Sequence, residues 1–240
     1  MARGLGPDER AARQARHQAS GRLLSNPGGN VWELFAHGVP YVLGATQEIV
    51  VALDWTDFDA DGHSTIALYL VTAHGRATPL VWMSVKKAQL KGRRNRYEDT
   101  VLLRLHEVVP PGVKVTLLAD RGFGEQALYA LLKDLGFDSI IRFREVVAVE
   151  SRDGEVRTAS EWVPPNGKTR HLKNAWVTPD RYPVDSVVCV KARGMKDSWC
   201  LAVSGRDGRK ALRASIHHRG DLPRHQRPAV QLGLVGHARA

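Results

Sequence analysis

The chain has 240 residues, of which 43% are hydrophobic and 25% charged, with a formal net charge of +10. That length fits one sizeable core with an elaboration. No apolar stretch reaches the ~18 residues needed to span a bilayer, and the N-terminus lacks the apolar segment of a secretory signal, so a cytoplasmic chain without a membrane partner is expected.

The positive charge points to a polyanionic partner, yet +6 of it falls on residues 206–240, so the basic signal belongs mostly to the tail. Cys189 and Cys200 lie eleven positions apart. That spacing fits neither a paired-thiolate zinc site nor a disulfide framework, and both are expected in the core.

Residues 8–24, "DERAARQARHQASGRLL", are rich in helix formers behind Asp8 and Glu9, and predict a helix that "SNPGGN" ends. From Gln47 the pattern turns β-branched and apolar. "EIVVALDW", "STIALYLVT" and "TPLVWMSV", separated by "TDFDADGH" and "HGRA", predict three strands in an antiparallel meander.

"RRNRYEDTVLLRLHEVV" carries apolar residues at helical spacing behind an acidic start and stops at "PPG". "VKVTLLAD" reads as a buried strand, "GEQALYALLKDLGF" as an amphipathic helix closed by Gly136, and "SIIRFR" as a further strand. This alternation adds a parallel section to the meander. Residues 145–205 hold short β-like pieces and read as a β-rich insertion, while 206–240 show no lasting period. The domain reading is therefore an N-terminal helical segment at 1–46, a core at 47–144, the insertion, and an irregular tail.

Three antiparallel strands, helix, strand, helix, strand is the order of a ribonuclease-H-like core. In that topology Asp54, ending the first strand, and Asp120, ending the fourth, lie on neighbouring strands. Paired carboxylates there are hard oxygen ligands suited to magnesium, and two ions ~3.5–4 Å apart can activate a nucleophile and stabilise a leaving oxygen. Spacing alone leaves open whether these are metal ligands or turn residues bonded to their own backbone.

Competing sites are weaker. "DFDADG" imitates the start of a calcium loop, but its twelfth position is Leu68, and a polar hairpin turn fits better. "RGFGEQ" lacks the third glycine of a dinucleotide fingerprint, and no G-x-S-x-G nucleophile elbow is present. Lys86, Lys87, Lys91, Arg93, Arg94 and Arg96 form a basic segment that suits contact with a phosphate backbone or a solvated loop equally.

"EIVVALDWTDFDADGHSTIALYLVTAHGRATPLVWMSVKK", the segment from "YEDTVLLRLH" through "LLADRGFGEQ" to "SIIRFR", and "MKDSWCLAVS" resemble the DDE transposases of the insertion sequence 4 group. The likeness runs from about Arg22 to Ser204. It implies a ribonuclease-H-like, retroviral-integrase-like α/β core with a β-rich insertion. It also implies a two-metal site using Mg2+ or Mn2+, and cleavage and strand transfer at transposon ends. Asp54 and the Asp120 of "DRGF" match the family's first two catalytic, metal-binding acids, and Arg121 of that motif is a candidate for phosphate contact or for pairing with an acid. The implied partner is double-stranded DNA, both terminal inverted repeats and target, with a homodimer as the candidate assembly and the nucleoid as the location.

The family's third acid belongs to a Tyr-x-x-Arg-x-x-x-Glu-x-x-x-x-x-x-Lys signature after "CLAVS", but no glutamate occurs beyond Glu161. A choice of codons permitted for Ile216 to Arg227, read one nucleotide out of phase, can spell Ile-Glu-Glu-Thr-Phe-Arg-Asp-Thr-Lys, which resembles that signature from its Glu to its Lys. The tail is therefore read as out of frame, and the chain as inactive or nearly so. Glu145 is the one substitute ligand considered. The competing class is a non-catalytic DNA-binding or dimer-poisoning remnant, or an unstable product whose sheet lacks its covering helix.

Overall fold

The structure is a computed structural model that describes residues 30–72, 77–120, 122–123, 126–177, 180–191, 195 and 197–205. Within them the chain is a mixed α/β protein with few helices and one large sheet. Its elements are α1 (Val31–Leu43), β1 (Glu48–Phe58), β2 (His63–Val71), β3 (Ala77–Lys86), α2 (Arg94–Val108), β4 (Lys114–Ala119), α3 (Gln126–Asp134) and β5 (Asp138–Phe143). Five further strands follow: β6 (Ala148–Glu150), β7 (Val156–Thr158), β8 (Arg170–Val177), β9 (Tyr182–Val190) and β10 (Trp199–Ser204). The predicted N-terminal helix and the C-terminal tail lie outside the described residues.

All ten strands form a single sheet in the order β3-β2-β1-β4-β5-β10-β9-β8-β6-β7. β1, β2 and β3 make the expected antiparallel meander, while β4 and β5 run parallel to β1. Gly62, at φ 61°, supplies the left-handed residue that closes the β1–β2 turn. Pro79 sits in β3, an edge strand of the sheet, where a missing N–H breaks no ladder on the outer side. The segment read as an insertion supplies β6 to β10, and β10 pairs antiparallel with β5, so these strands continue the core sheet.

Strand alternation divides the apolar residues between two faces. Ile49, Val51 and Leu53 of β1, Val115, Leu117 and Ala119 of β4, and Ile141 and Phe143 of β5 join one cluster with the buried residues of the three helices. Leu118, Ile140, Val188, Leu201 and Val203 form a second cluster with Val50, Ala52 and Trp199. Among the described residues, no helix contributes to that second cluster. Leu102 of α2 is fully buried on the first face, where truncation to alanine costs about 2–5 kcal/mol.

Two helices differ from expectation. α2 begins at Arg94 with no acid in its first turn; Glu98 and Asp99 fall in the second turn, because Glu98 is drawn inward to the Trp55 indole. α1 falls within the segment 1–46 read as helical, although no separate helix was read there, since Pro40 lies inside it and removes one backbone donor. Its start is nevertheless written locally: the Asn30 side chain accepts from Trp32 N and donates to Glu33, a reciprocal N-terminal cap. Phe35, Val39 and Leu43 then fall on one buried stripe. Arg104 of α2 donates to the Trp32 carbonyl at 2.6 Å and lies over its ring, tying α1 to α2.

Candidate functional site

The parallel ladder between β1 and β4 ends at the pair Leu53↔Ala119. The next residue along each chain is Asp54 on β1 and Asp120 just past the end of β4. Both continue the alternation that sends Val50, Ala52 and Leu118 to the second face, so both occupy that face. Asp54 does not end its strand as expected. β1 continues to Phe58, because Asp54 to Phe58 pair with Ala67 to His63 of β2 after β4 has turned away. Asp54 is thereby held by an unbroken ladder, and its Oδ2 is buried.

The same row extends to β5 and β10. Ala119 pairs with Ile141, so Arg142 comes next to Asp120, and Arg142 pairs with Leu201 of β10. The Arg142 guanidinium is 3.6 Å from Asp120 Oδ1 and lies over the Trp199 ring, 5.4 Å from its centroid. Arg142 is only 7% exposed, whereas the Asp120 side chain is 40% exposed. A rigid buried cation therefore stands behind a carboxylate that opens to solvent.

The basic segment lies around an open groove of ≈ 860 Å3, whose walls include Lys91, Arg93, Arg94, Arg96, Glu98 and Gly122. Gly122 follows Asp120 by two residues, so the groove reaches the turn that carries the second acid. Arg94 is fixed by stacking on Trp55, 5.0 Å from its centroid, and Trp55 Nε1 donates to Glu98 at 2.8 Å. Lys91, Arg93 and Arg96 are exposed. Lys86 is exposed at the end of β3. Lys87 is bound to Asp59 and stands 3.7 Å from Asp57; the bond to Asp59 is the first cause raising its pKa. The Ser64 hydroxyl, donating at 2.6 Å, is the first cause holding Asp57 below the usual carboxylate range, and the Lys87 and Arg94 charges add to it.

Asp54 and Asp120 carry the hard oxygen donors that a magnesium or manganese ion takes. Among the described residues, no group of three or more His, Cys, Asp or Glu side chains is arranged to hold a metal. Glu145 is engaged elsewhere: its carboxylate accepts from the backbone N–H and hydroxyl of Ser198, tying the end of β5 to the start of β10. Arg121 lies outside the described residues.

The structure thus sets Asp54 and Asp120 one residue past the last pair of the β1–β4 ladder and gathers most of the basic segment around one groove. Sequence reasoning missed Arg142, Trp199 and Glu98. Arg142 carried a signal, a lone arginine within the apolar run "SIIRFR", but its meaning depends on the strand register. Cys189 and Cys200 are fully buried free thiols and register partners on β9 and β10, core residues as expected. Among the described residues, no helix is long and apolar enough to cross a membrane.

No family model matches the chain, and no curated protein matches it. Among solved structures it is similar to an endonuclease V from Streptomyces avermitilis, at 14% identity and TM-score 0.35, over 82% of this chain and 78% of that one. It is also similar to Marinitoga piezophila Argonaute in complex with a 5′-OH guide RNA, at 9% identity and TM-score 0.30, over 73% of this chain and 26% of that one.

Proposed function

We propose that this chain is a DNA-binding protein of the insertion sequence 4 DDE transposase type, built on a ribonuclease-H-like core and catalytically inactive as it stands. The observation that carries the reading is that Asp54 and Asp120 each follow the last ladder pair of the parallel strands β1 and β4, Leu53↔Ala119; a groove walled by arginine and lysine, which reaches the turn after Asp120 at Gly122, adds to it. The strand order β3-β2-β1-β4-β5, antiparallel for three strands and then parallel, supports the core topology. The resemblance in "LLADRGFGEQ" supports the family.

The exposed cations of the groove would hold the phosphate backbone by displacing its counterions. Asp54, locked in the β1–β2 ladder, and Asp120, backed by Arg142, would present their carboxylates to the phosphodiester from the sheet face. A divalent ion held there would supply Lewis-acid polarisation of the phosphate and activation of water. Hydrolysis and transesterification at transposon ends are the ancestral reactions. With only two of the family's three acids, alignment of the attacking oxygen is lost, and the chain binds DNA without cutting it.

Gel-shift titration and a magnesium-dependent nicking assay on the same transposon-end DNA test this. Binding without nicking is expected. Robust nicking abolished by Asp120→Ala would show a working enzyme, and absence of binding would sink the reading altogether.

A further inference from the structure

We infer that Arg142 is a built-in counter-charge to Asp120, one that sets how weakly the acid pair takes a divalent cation. The inference rests on the proposed role of Asp54 and Asp120 and adds a residue that neither the sequence motifs nor the family resemblance singled out.

Three observations combine. The ladders of β1, β4 and β5 end at Leu53↔Ala119 and Ala119↔Ile141, and Asp54, Asp120 and Arg142 are the next residues along the three chains. The guanidinium stands 3.6 Å from Asp120 Oδ1. It is held there by the Trp199 ring, and Arg142 as a whole is 7% exposed. Arginine stays protonated at any working pH, so its charge cannot be switched off, and stacking between sheet and indole keeps it from swinging clear. A divalent ion joining Asp54 and Asp120 would sit within a few ångströms of that fixed positive charge, where burial weakens screening. The Arg142 charge therefore offsets part of the negative charge that the carboxylate pair offers the ion.

A structural role and a counter-charge role make opposite predictions. Removing a merely structural arginine loosens Asp120 and weakens metal binding. Removing a counter-charge strengthens it. Mn2+ alone is the probe, its affinity for the full chain read by calorimetry or by loss of the free-ion paramagnetic resonance signal. Arg142→Gln is expected to tighten Mn2+ binding at least tenfold, and Arg142→Lys, which keeps the charge, to leave it within about twofold of the parent. Trp199→Leu, which frees the guanidinium without deleting it, is expected to tighten binding by about threefold and serves where Arg142→Gln does not fold.

Weaker or unchanged binding in folded Arg142→Gln or Trp199→Leu overturns the inference while leaving the acid pair intact as a site, provided that Asp54→Asn abolishes the parent's binding. If Mn2+ binds neither the parent nor the Arg142 variants, or binds regardless of Asp54, the acid pair itself is not a metal site and the proposed function fails with the inference.

Discussion

The indole of Trp55 on β1 donates to the carboxylate of Glu98 on α2 at 2.8 Å, across 43 residues of chain. This bond joins α2 to β1, and Glu98 also lines the basic groove. Glu98 is 7% exposed, and Arg94, one turn earlier, stacks on the same indole. Glu98→Ala leaves the indole N–H without this acceptor, and a loss of about 1–3 kcal/mol is expected. It should read as a lower urea midpoint with an unchanged slope; an unchanged midpoint would show that the bond contributes nothing net.

Groove cations differ in what they have left to offer DNA. Lys91, Arg93 and Arg96 are exposed, whereas Lys87 is bound to Asp59 and faces Asp57. Each of Lys91→Ala, Arg93→Ala and Arg96→Ala is expected to lower DNA affinity and to flatten the plot of log affinity against log salt by about 0.9 per lost phosphate contact. Lys87→Ala should change that slope by less than any of them. Equal slopes for all four would mean that the Asp59 contact yields to DNA.

Tyr129 provides the alkaline limit. Burial, aided by the neighbouring Tyr182, pushes its phenol well above the ordinary value, and its hydroxyl has no hydrogen-bond partner among the described residues. In the unfolded chain a tyrosine ionises near pH ~10. Below that pH both states hold the proton and stability is unaffected. As pH rises from there toward the folded value, only the unfolded state loses the proton, and stability falls. Tyr129→Phe is expected to raise stability by about 1 kcal/mol at neutral pH and to flatten the decline above pH ~10. A steeper alkaline decline in the variant would contradict this.

Cys189 and Cys200 face each other on neighbouring strands, both fully buried. The contact with Cys200, with burial adding to it, pushes the Cys189 thiol far up, the opposite of what a reactive thiolate needs. Neither is expected to react with a thiol-specific chromogenic reagent in the folded chain, and both should react in denaturant. Rapid reaction of either under native conditions would show that β9 and β10 separate readily.

Much of this protein was legible in order along the chain. The apolar runs "EIVVALDW" and "VKVTLLAD" declare strands through alternation and continuity, and Gly136 closes α3 at φ 68° where only a residue without a Cβ is comfortable. Those signals are local because they arise from backbone conformation and from burial repeating at a fixed period. The adjacency of β1 and β4 was also within reach, since β-strand order follows from connection rules. The span of α2 agrees with the reading of "RRNRYEDTVLLRLHEVV", but its acids do not sit in the first turn as expected, and Glu98 serves a tryptophan 43 positions earlier.

What only the tertiary structure decided is which charges meet. Sequence placed two carboxylates at the ends of apolar runs and one arginine inside another. Register between β4 and β5 brought Arg142 to 3.6 Å from Asp120, and a slip of one residue would have sent Arg142 to the opposite face. Trp199, 57 residues beyond Arg142, lies over the guanidinium only because β10 returns antiparallel to β5. Strand identity is a property of a few neighbouring residues, whereas the electrostatics of a site depend on alignment between segments that share no local pattern.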